Sequence, residues 1–481
     1  MLAKHGVTYL VIKLFPAVLS LLSLVIFTRI LTPGQYGVYS LTILIAGLGS
    51  AVLLQWISLG VGRYLPASES SAEKENLLAT ARTVSLCISM VLITLTLTVF
   101  FSGYFSSYAV VIWVVGFLCA MQGWNDLNLK IQNASLNPGD YGKILTLKSA
   151  VGFALGVFSA YLGFGAEGIL ISTVIGLFVA SLLNRSVWSI NLPWLFIDSQ
   201  QLRRLFIYGA PLTVTYLLIF IIDASDRFFI ERMIGIDAVG IYSAAYELSQ
   251  YSIGTLTSVV HLAALPLILS MMAKYGVKGA QEQLKKTFLF ILAVALPASG
   301  GMAIIAPDIA YSLMGSSFSA EAEIIIPWIA LAMFLSSLKS FYFDYAFQLA
   351  QSTQTQMFIV FVCALFNLAL NYWLIGALGT VGAAISTVIA FAVGLLLSWR
   401  LGRRVYSMPR LPYKEASKLC VAFMGMVLVI SMIHMDASLY SLIVKVLVGG
   451  GSYALILAAT NMWGIRSILV KRLRGLVSSN F

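Results

Sequence analysis

Long apolar runs, separated by short polar or Gly/Pro-bearing breaks, recur along almost the whole chain. They fall near residues 7–28, 37–60, 82–102, 109–128, 144–163, 166–184, 205–222, 238–268, 286–306, 324–345, 356–375, 380–399, 416–434 and 439–460. Most match the roughly 20 residues with which a helix crosses about 30 Å of hydrocarbon. Helices are expected because lipid offers a backbone no other hydrogen-bonding partner. The pattern predicts fourteen spans, of which span 8, carrying Glu247, Tyr251 and Pro266, is longer than one bilayer requires.

Composition agrees. The 481 residues are 60% hydrophobic and 10% charged, with a mean hydropathy of +0.93, which places the chain among all-α polytopic membrane proteins. Counting spans alternately from a cytoplasmic N-terminus puts 24 of the 30 Lys and Arg on the cytoplasmic face, Lys130, Lys143 and Lys148 among them, as the positive-inside bias requires. Both termini are then cytoplasmic. Arg29, Arg227 and Arg232 fall on the other face, and Lys13, Lys339 and Lys445 inside spans. The net charge of +11 is a consequence of topology and gives no reason to invoke nucleic acid. Trp56, Trp188, Trp399 and Trp463 near cytoplasmic ends, and Trp113, Trp328 and Trp373 near the opposite ends, suit interfacial belts. The four cysteines lie within spans, so no disulfide framework is expected. Span 1 holds Lys13 and Pro16 and is followed by no small-residue cleavage site, which reads as a retained anchor.

The chain repeats itself. "RILTPGQYGVYS" from Arg29 returns as "RMIGIDAVGIYS" from Arg232, with Gly37 to Gly240, Tyr39 to Tyr242 and Ser40 to Ser243 keeping a shift of 203 residues. "GAEGILISTVIG" from Gly165 returns as "GTVGAAISTVIA" from Gly379, a shift of 214 that pairs Ser172 with Ser386. The first echo joins spans 1 and 2 to 7 and 8, the second spans 5 and 6 to 11 and 12. The unit is therefore six spans, an even number, and the halves share orientation about an axis along the membrane normal. The expected organisation is an N-lobe over 1–200 with spans 1 to 6, a C-lobe over 201–407 with spans 7 to 12, and spans 13 and 14 with a basic cytoplasmic tail over 408–481.

"TRILTPGQYGVYSL", "GVGRYLPA" at 60–67, "LGFGAEGILIST" and "DRFFIERMIGIDAVGIYSAAYEL" together resemble the polysaccharide-export branch of the multidrug/oligosaccharidyl-lipid/polysaccharide flippase superfamily, the Wzx-type flippases. The resemblance covers essentially the whole chain and carries no invariant catalytic signature. It implies two six-helix lobes with an appended helix pair, in the plasma membrane of a bacterium or archaeon, the inner membrane if the cell is Gram-negative. The implied cargo is polyprenyl-diphosphate-linked oligosaccharide, an O-antigen, capsule or exopolysaccharide unit, moved from the cytoplasmic to the outer leaflet by alternating access. Membrane lipid and other polysaccharide-assembly proteins are the implied partners.

A diphosphate head group needs compensating charge inside the membrane, so a wet, basic central cavity is expected. Its candidate cations are Lys13, Arg29, Arg227, Arg232 and Lys339. Each has a second reading: Lys13 and Lys339 could snorkel, as is expected of Lys445, while Arg29 and Arg232 could cap helix ends or pair with Glu231 or Asp237. Glu247 and, fourteen residues on, His261 are candidates for coupling to an H+ or Na+ gradient; Glu247 could instead neutralise a cavity cation. Asp223 is a further coupling candidate, although Asp223, Asp226 and Arg227 also read as a local ion-pair and capping cluster. Asp126 and Asp344 are expected to be solvated at cytoplasmic helix ends, and the external loop near 307–323 holds Asp308, Glu321 and Glu323 without a basic partner. No GxxxxGK[ST] loop occurs, "GVGRYL" lacks the context of a phosphate loop, and His5, His261 and His434 are too scattered for a metal site. No cofactor and no enzymatic role are expected. The alternatives are a cation-coupled small-molecule exporter of the same superfamily, disfavoured because spans 1 and 2 carry no acid, and a membrane-embedded glycan-assembly enzyme. A topology reporter fused after Gly315 should read extracytoplasmic; a cytoplasmic signal there would overturn the span count.

Overall fold

The computed structural model describes the backbone of residues 2–102, 109–184 and 196–462, and the side chains of these except 2–11, 13, 109 and 110. Arg185, Trp188, Trp463 and the tail residues Arg466, Lys471, Arg472 and Arg474 lie outside the described residues, as do the side chains of Lys4 and Lys13. The described residues form helices and turns, with no strand among them.

The sequence breaks are helix caps. Thr32 closes a capping box with Gln35 (3.1 and 3.3 Å) at the start of α2, Pro33–Tyr64, just after α1, Leu2–Ile30. Ser70 caps α3, Ser71–Phe101, and after α4, Ala109–Ala134, Asn137 caps α5, Pro138–Tyr161, by accepting from the Asp140 amide. Following α6, Gly165–Leu183, Asp198 caps α7, Ser199–Met233, from which α8 continues as Ile236–Ser249. Such side-chain oxygens satisfy amides that would otherwise lack partners. A π-helical turn at Gln250–Gly254 leads into α9, Thr255–Ile304, then α10, Ala306–Leu313, and α11, Ser316–Leu338. A second π-turn, Lys339–Phe343, precedes α12, Tyr345–Leu349. The chain ends its described part with α13, Thr353–Val405, α14, Tyr413–Ser431, and α15, Leu439–Ala459.

Nine continuous helical stretches are long and apolar enough to cross a membrane, and Leu14–Ile30 is a shorter apolar one. Nine is a count of stretches among the described residues and is not a count of crossings. The 69 residues of Ile236–Ile304 would extend about 100 Å if straight, far beyond one bilayer. That stretch breaks at Gly276 (φ 63°), and Thr353–Val405 breaks at Gly379 (φ 62°), in the left-handed region that favours glycine. Across Gly379 the chain doubles back: Asn367 Nδ2 donates to Ser386 Oγ at 3.3 Å, and Ser386 Oγ donates to Asn371 Oδ1. In one straight helix those residues would stand roughly 22–28 Å apart. The fourteen spans expected above count crossings from hydropathy, and the two breaks fall between spans 8 and 9 and between 11 and 12.

Packing divides the chain into two compact units, one ending at Ala244 and the other beginning at Ala245. In the first, α2 carries a core of Leu54, Ile57 and Val61 against Leu77, Leu127 and Leu205. The last of these belongs to α7, which runs beside α2: Trp56 meets Phe206 edge-on at 5.4 Å, and Arg204 reaches Glu73 at 2.9 Å and lies over Tyr64. This docking of α7 on α2 moves the packing division to 244/245, whereas the repeat begins its second copy near residue 201. In the second unit, α11 packs between α9 and α13, while α14 and α15 pair with each other and rest on α9 and α10.

Both sequence echoes have a structural counterpart. Gly165 (φ 57°) and Gly379 (φ 62°), partners at the 214-residue shift, both make the left-handed turn before "ISTVI". The serine that follows is buried in each copy and bonded to the preceding helix, Ser172 to Ser159 Oγ at 3.4 Å and Ser386 to Asn367. At the 203-residue shift, Gly37 and Gly240 touch one another. A Cβ on Gly37 would strike the Ile236 carbonyl, and one on Gly240 the Pro33 carbonyl, with the opposing amide nitrogens at 3.1 and 3.0 Å. Pro33 and Ile236 are themselves partners at that shift, so the contact is self-complementary, as in a two-fold interface. Replacing either Gly37 or Gly240 by Ala should therefore lower the thermal unfolding temperature of purified protein by several degrees. Gly451→Ala, on α15 where an added Cβ meets nothing within 4 Å, should leave it unchanged or raise it; equal behaviour of all three would refute the tight contact.

Candidate functional site

Two cavities and three polar clusters stand out among the described residues. The first unit holds an open cavity of about 190 Å³ between α1, α2, α4, α5 and α6. Lys148, Gln122, Ser20 and Tyr39 reach it, and Phe27 and Phe153 supply apolar wall. Lys148 was expected with the loop lysines of the cytoplasmic face. The Asn137 cap and Pro138 start α5 early enough that Lys148 lies three turns inside the helix, which brings its side chain to the cavity.

The second unit holds an apolar cavity of about 610 Å³ between α8, the π-turn after it, α9, α10, α14 and α15. Leu248, Ile253, Val294, Met426, Val446 and Tyr453 are among its walls. Lys445 stands at its edge and corrects one expectation. It does not snorkel: its ammonium binds Asp308 Oδ2 at 2.8 Å, with Asp308 fully buried. The external loop therefore does contain a paired carboxylate, and Glu321 there accepts a hydrogen bond from Thr380 Oγ1.

The candidate residues separate in the structure. Lys13 lies in α1 with its side chain outside the described residues. Arg29 and Arg232 are exposed, in the last turns of α1 and α7. Arg227 is buried; its Nε donates to Ser243 Oγ at 3.0 Å, its Nη1 to the Asp223 carbonyl at 2.7 Å, and it leans over the Tyr242 ring. Tyr242 in turn donates to Asp226, which is fully buried. Asp223 thus meets Arg227 through its backbone carbonyl, with its side chain half-buried. The second copy of the repeated phrase, "GIYS" at 240–243, explains this site, since Tyr242 and Ser243 are the residues that hold Asp226 and Arg227.

Lys339 is buried on a π-turn, where it binds Asp344 Oδ2 at 2.8 Å, and Ser398 Oγ donates to Asp344 Oδ1 at 2.6 Å. Lys339 therefore does not snorkel and Asp344 is not solvated: closing a turn with five residues' spacing brings them together inside α11 to α13. Asp126, by contrast, is exposed. Glu247 is half-buried on α8. His261 Nδ1 lies 2.6 Å from Tyr345 Oη, and its ring stacks on Phe341 at 4.8 Å. Glu247 and His261 are on α8 and α9, separated by the π-turn, so the helical face they were expected to share is displaced by the extra residue in that turn.

Residues 26–323 match the family described as "Polysaccharide biosynthesis protein". The chain belongs to this family. A Shigella flexneri protein named "Putative O-antigen transporter" is 24% identical over 251 residues, which are 50% of this chain and 56% of that protein. The chain thus spans little more than half the length of that relative. Among solved structures, a lipid II flippase, MurJ in an inward closed conformation, superposes with a TM-score of 0.73 at 14% identity, over 96% of this chain and 100% of that one. A multidrug resistance MATE family transporter of the MOP superfamily, inward-facing, gives 0.60 at 15% identity, over 83% and 97%. A MOP superfamily transporter from Pyrococcus furiosus gives 0.58 at 14%, over 83% and 95%. The fold is the one these solved structures share, and the family match over residues 26–323, with nine helical stretches long and apolar enough to cross a membrane among the described residues, identifies a multi-pass membrane protein of the polysaccharide biosynthesis family.

The buried Lys339–Asp344 pair yields a measurable consequence in this family member. Lys339→Met leaves a buried carboxylate uncompensated and should destabilise the protein by about 3–5 kcal/mol, whereas the double variant Lys339→Met/Asp344→Leu should recover most of that loss. Thermal unfolding of the three purified proteins checks it; a single variant as stable as wild type would mean the carboxylate has reached solvent.

Proposed function

We propose that this protein carries a polyprenyl-diphosphate-linked oligosaccharide from the cytoplasmic to the outer leaflet of the bacterial or archaeal cytoplasmic membrane, with both termini cytoplasmic. The observation that carries this reading is the apolar cavity of about 610 Å³ in the second unit, in a chain whose family is polysaccharide biosynthesis. A sugar or free diphosphate has no use for such walls, and a long isoprenoid chain does, gaining about 25 cal/mol per Å² of apolar surface removed from water. The head group presents the opposite problem, and the candidate cations Lys13, Arg29 and Arg232 would offset its charge. The relatives' names point the same way: an O-antigen transporter and a lipid II flippase. Glu247, half-buried on α8, is the group assigned in this reading to take up the H+ or Na+ that drives the cycle.

Purified protein in vesicles should expose a fluorescent polyprenyl-diphosphate oligosaccharide to an outside glycosidase, faster than protein-free vesicles. Lys13→Gln/Arg29→Gln should slow this by about tenfold or more through loss of phosphate compensation, with insertion unchanged. Flipping of a dye-cation, with none of the lipid-linked sugar, would replace this reading by a small-molecule exporter.

A further inference from the structure

The polar cavity of the first unit has a composition that transport of the lipid tail or the diphosphate does not explain. Lys148, Gln122, Ser20 and Ser149 line it, and none of them makes a hydrogen bond or ion pair to another described residue. Ser23 and Thr173 also line it, and each spends its proton on its own helix, on the Leu19 carbonyl at 2.8 Å and the Ile169 carbonyl at 2.9 Å. Their oxygens are left as acceptors. Phe27 and Phe153 supply apolar wall between these groups, with Tyr39 in a T-shaped contact with Phe27 at 5.9 Å.

Donors, acceptors and apolar faces in one small chamber suit a sugar ring, whose hydroxyls need both kinds of partner and whose C–H face needs neither. Size limits the ligand. At about 190 Å³ the chamber has room for some six waters at the roughly 30 Å³ each takes in the liquid, the scale of one ring and not of an oligosaccharide. Charge sharpens the choice. The lining holds one ammonium and no carboxylate, and Asp126 is neither part of the wall nor in an ion pair with Lys148. A single lysine is a point charge suited to one carboxylate, while a diphosphate calls for several donors from more than one cation.

We propose that this cavity is a monosaccharide subsite that receives one ring of the cargo bearing a carboxylate, a hexuronate being the simplest case. The proposal rests on the transport reading above and adds a substrate class to it. Lys148 faces the carboxylate, Gln122, Ser20 and Ser149 bind ring hydroxyls as donors, and Ser23 and Thr173 accept from them.

The test uses the full chain in lipid nanodiscs free of glycoside detergent, titrated with free glucuronate and free glucose by saturation-transfer NMR. Glucuronate should bind about tenfold or more tightly than glucose, since a hydrogen bond to a charged group outweighs a neutral one. Lys148→Gln should bring the two sugars level while Lys148→Arg keeps the preference. Gln122→Leu should weaken both alike, and it provides the test if Lys148→Gln fails to fold. Equal binding of the two sugars by wild type, a preference that survives Lys148→Gln, or unchanged binding in Gln122→Leu overturns the subsite. Wild type that flips lipid-linked oligosaccharide yet binds the two sugars alike removes the subsite alone. Protein that prefers glucuronate and flips nothing keeps the subsite and removes the transport reading.

Discussion

Hydrocarbon accepts and donates no hydrogen bonds, so each polar group at membrane depth must find its partner within the chain. The helices meet this demand first for the backbone and then for the hydroxyls. Thr28 donates to the Leu24 carbonyl, Thr42 to Val38, Thr213 to Gly209, Ser299 to Ala295 and Ser337 to Met333, each bond closing one turn back along the same helix. A serine or threonine bonded in this way is almost apolar to its neighbours. Amides reach further: Asn125 Nδ2 on α4 lies 3.1 Å from both the Leu177 carbonyl and Ser181 Oγ on α6, adding a polar tie to two helices that already share the core of Val114, Leu118, Leu170 and Leu177. Charges are paired by the same rule, Lys339 with Asp344 and Lys445 with Asp308.

Against that background an unpaired polar wall is informative. The chamber beside Lys148 is unlike the buried pairs because Lys148, Gln122, Ser20 and Ser149 bond to no other described residue, and a wall of such groups is the kind to which a ligand can supply partners. The apolar cavity in the second unit poses the complementary case, a space whose walls ask for nothing but apolar surface. One chain thus offers chemistry for both ends of an amphiphile.

Duplication gives the fold its economy of means. A glycine at position 37 lets the start of α2 approach α8 so closely that an added Cβ would strike the Ile236 carbonyl, and the copy at Gly240 does the same in return against Pro33. Small residues permit such approach where lipid removes the hydrophobic drive for helices to associate. The same doubling at Gly165 and Gly379 sets two left-handed turns ahead of two buried serines. Where the copies differ, the chemistry differs: Ser172 meets a serine hydroxyl, and Ser386 meets the amides Asn367 and Asn371.

Much of this was legible before any coordinates. Apolar run length reports on membrane crossing because the bilayer imposes one thickness on every span, and the two echoes survive in the sequence because close approach and left-handed turns both demand glycine. The sequence by itself determined the all-helical membrane class, the places where the long stretches break, and the kinship of the two halves. What lay beyond it was the partner of each charge. Lys445 and Asp308 stand far apart in the chain, Asp344 reads from sequence as a solvated helix end, and Lys148 reads as a loop lysine; only folding shows the first two carboxylates buried against ammonium groups and the last lysine facing a chamber. The reason is physical: hydropathy is a property of each residue along one axis, whereas pairing depends on rotation about the helix and on which helix lies opposite. Those two quantities exist only in the tertiary structure.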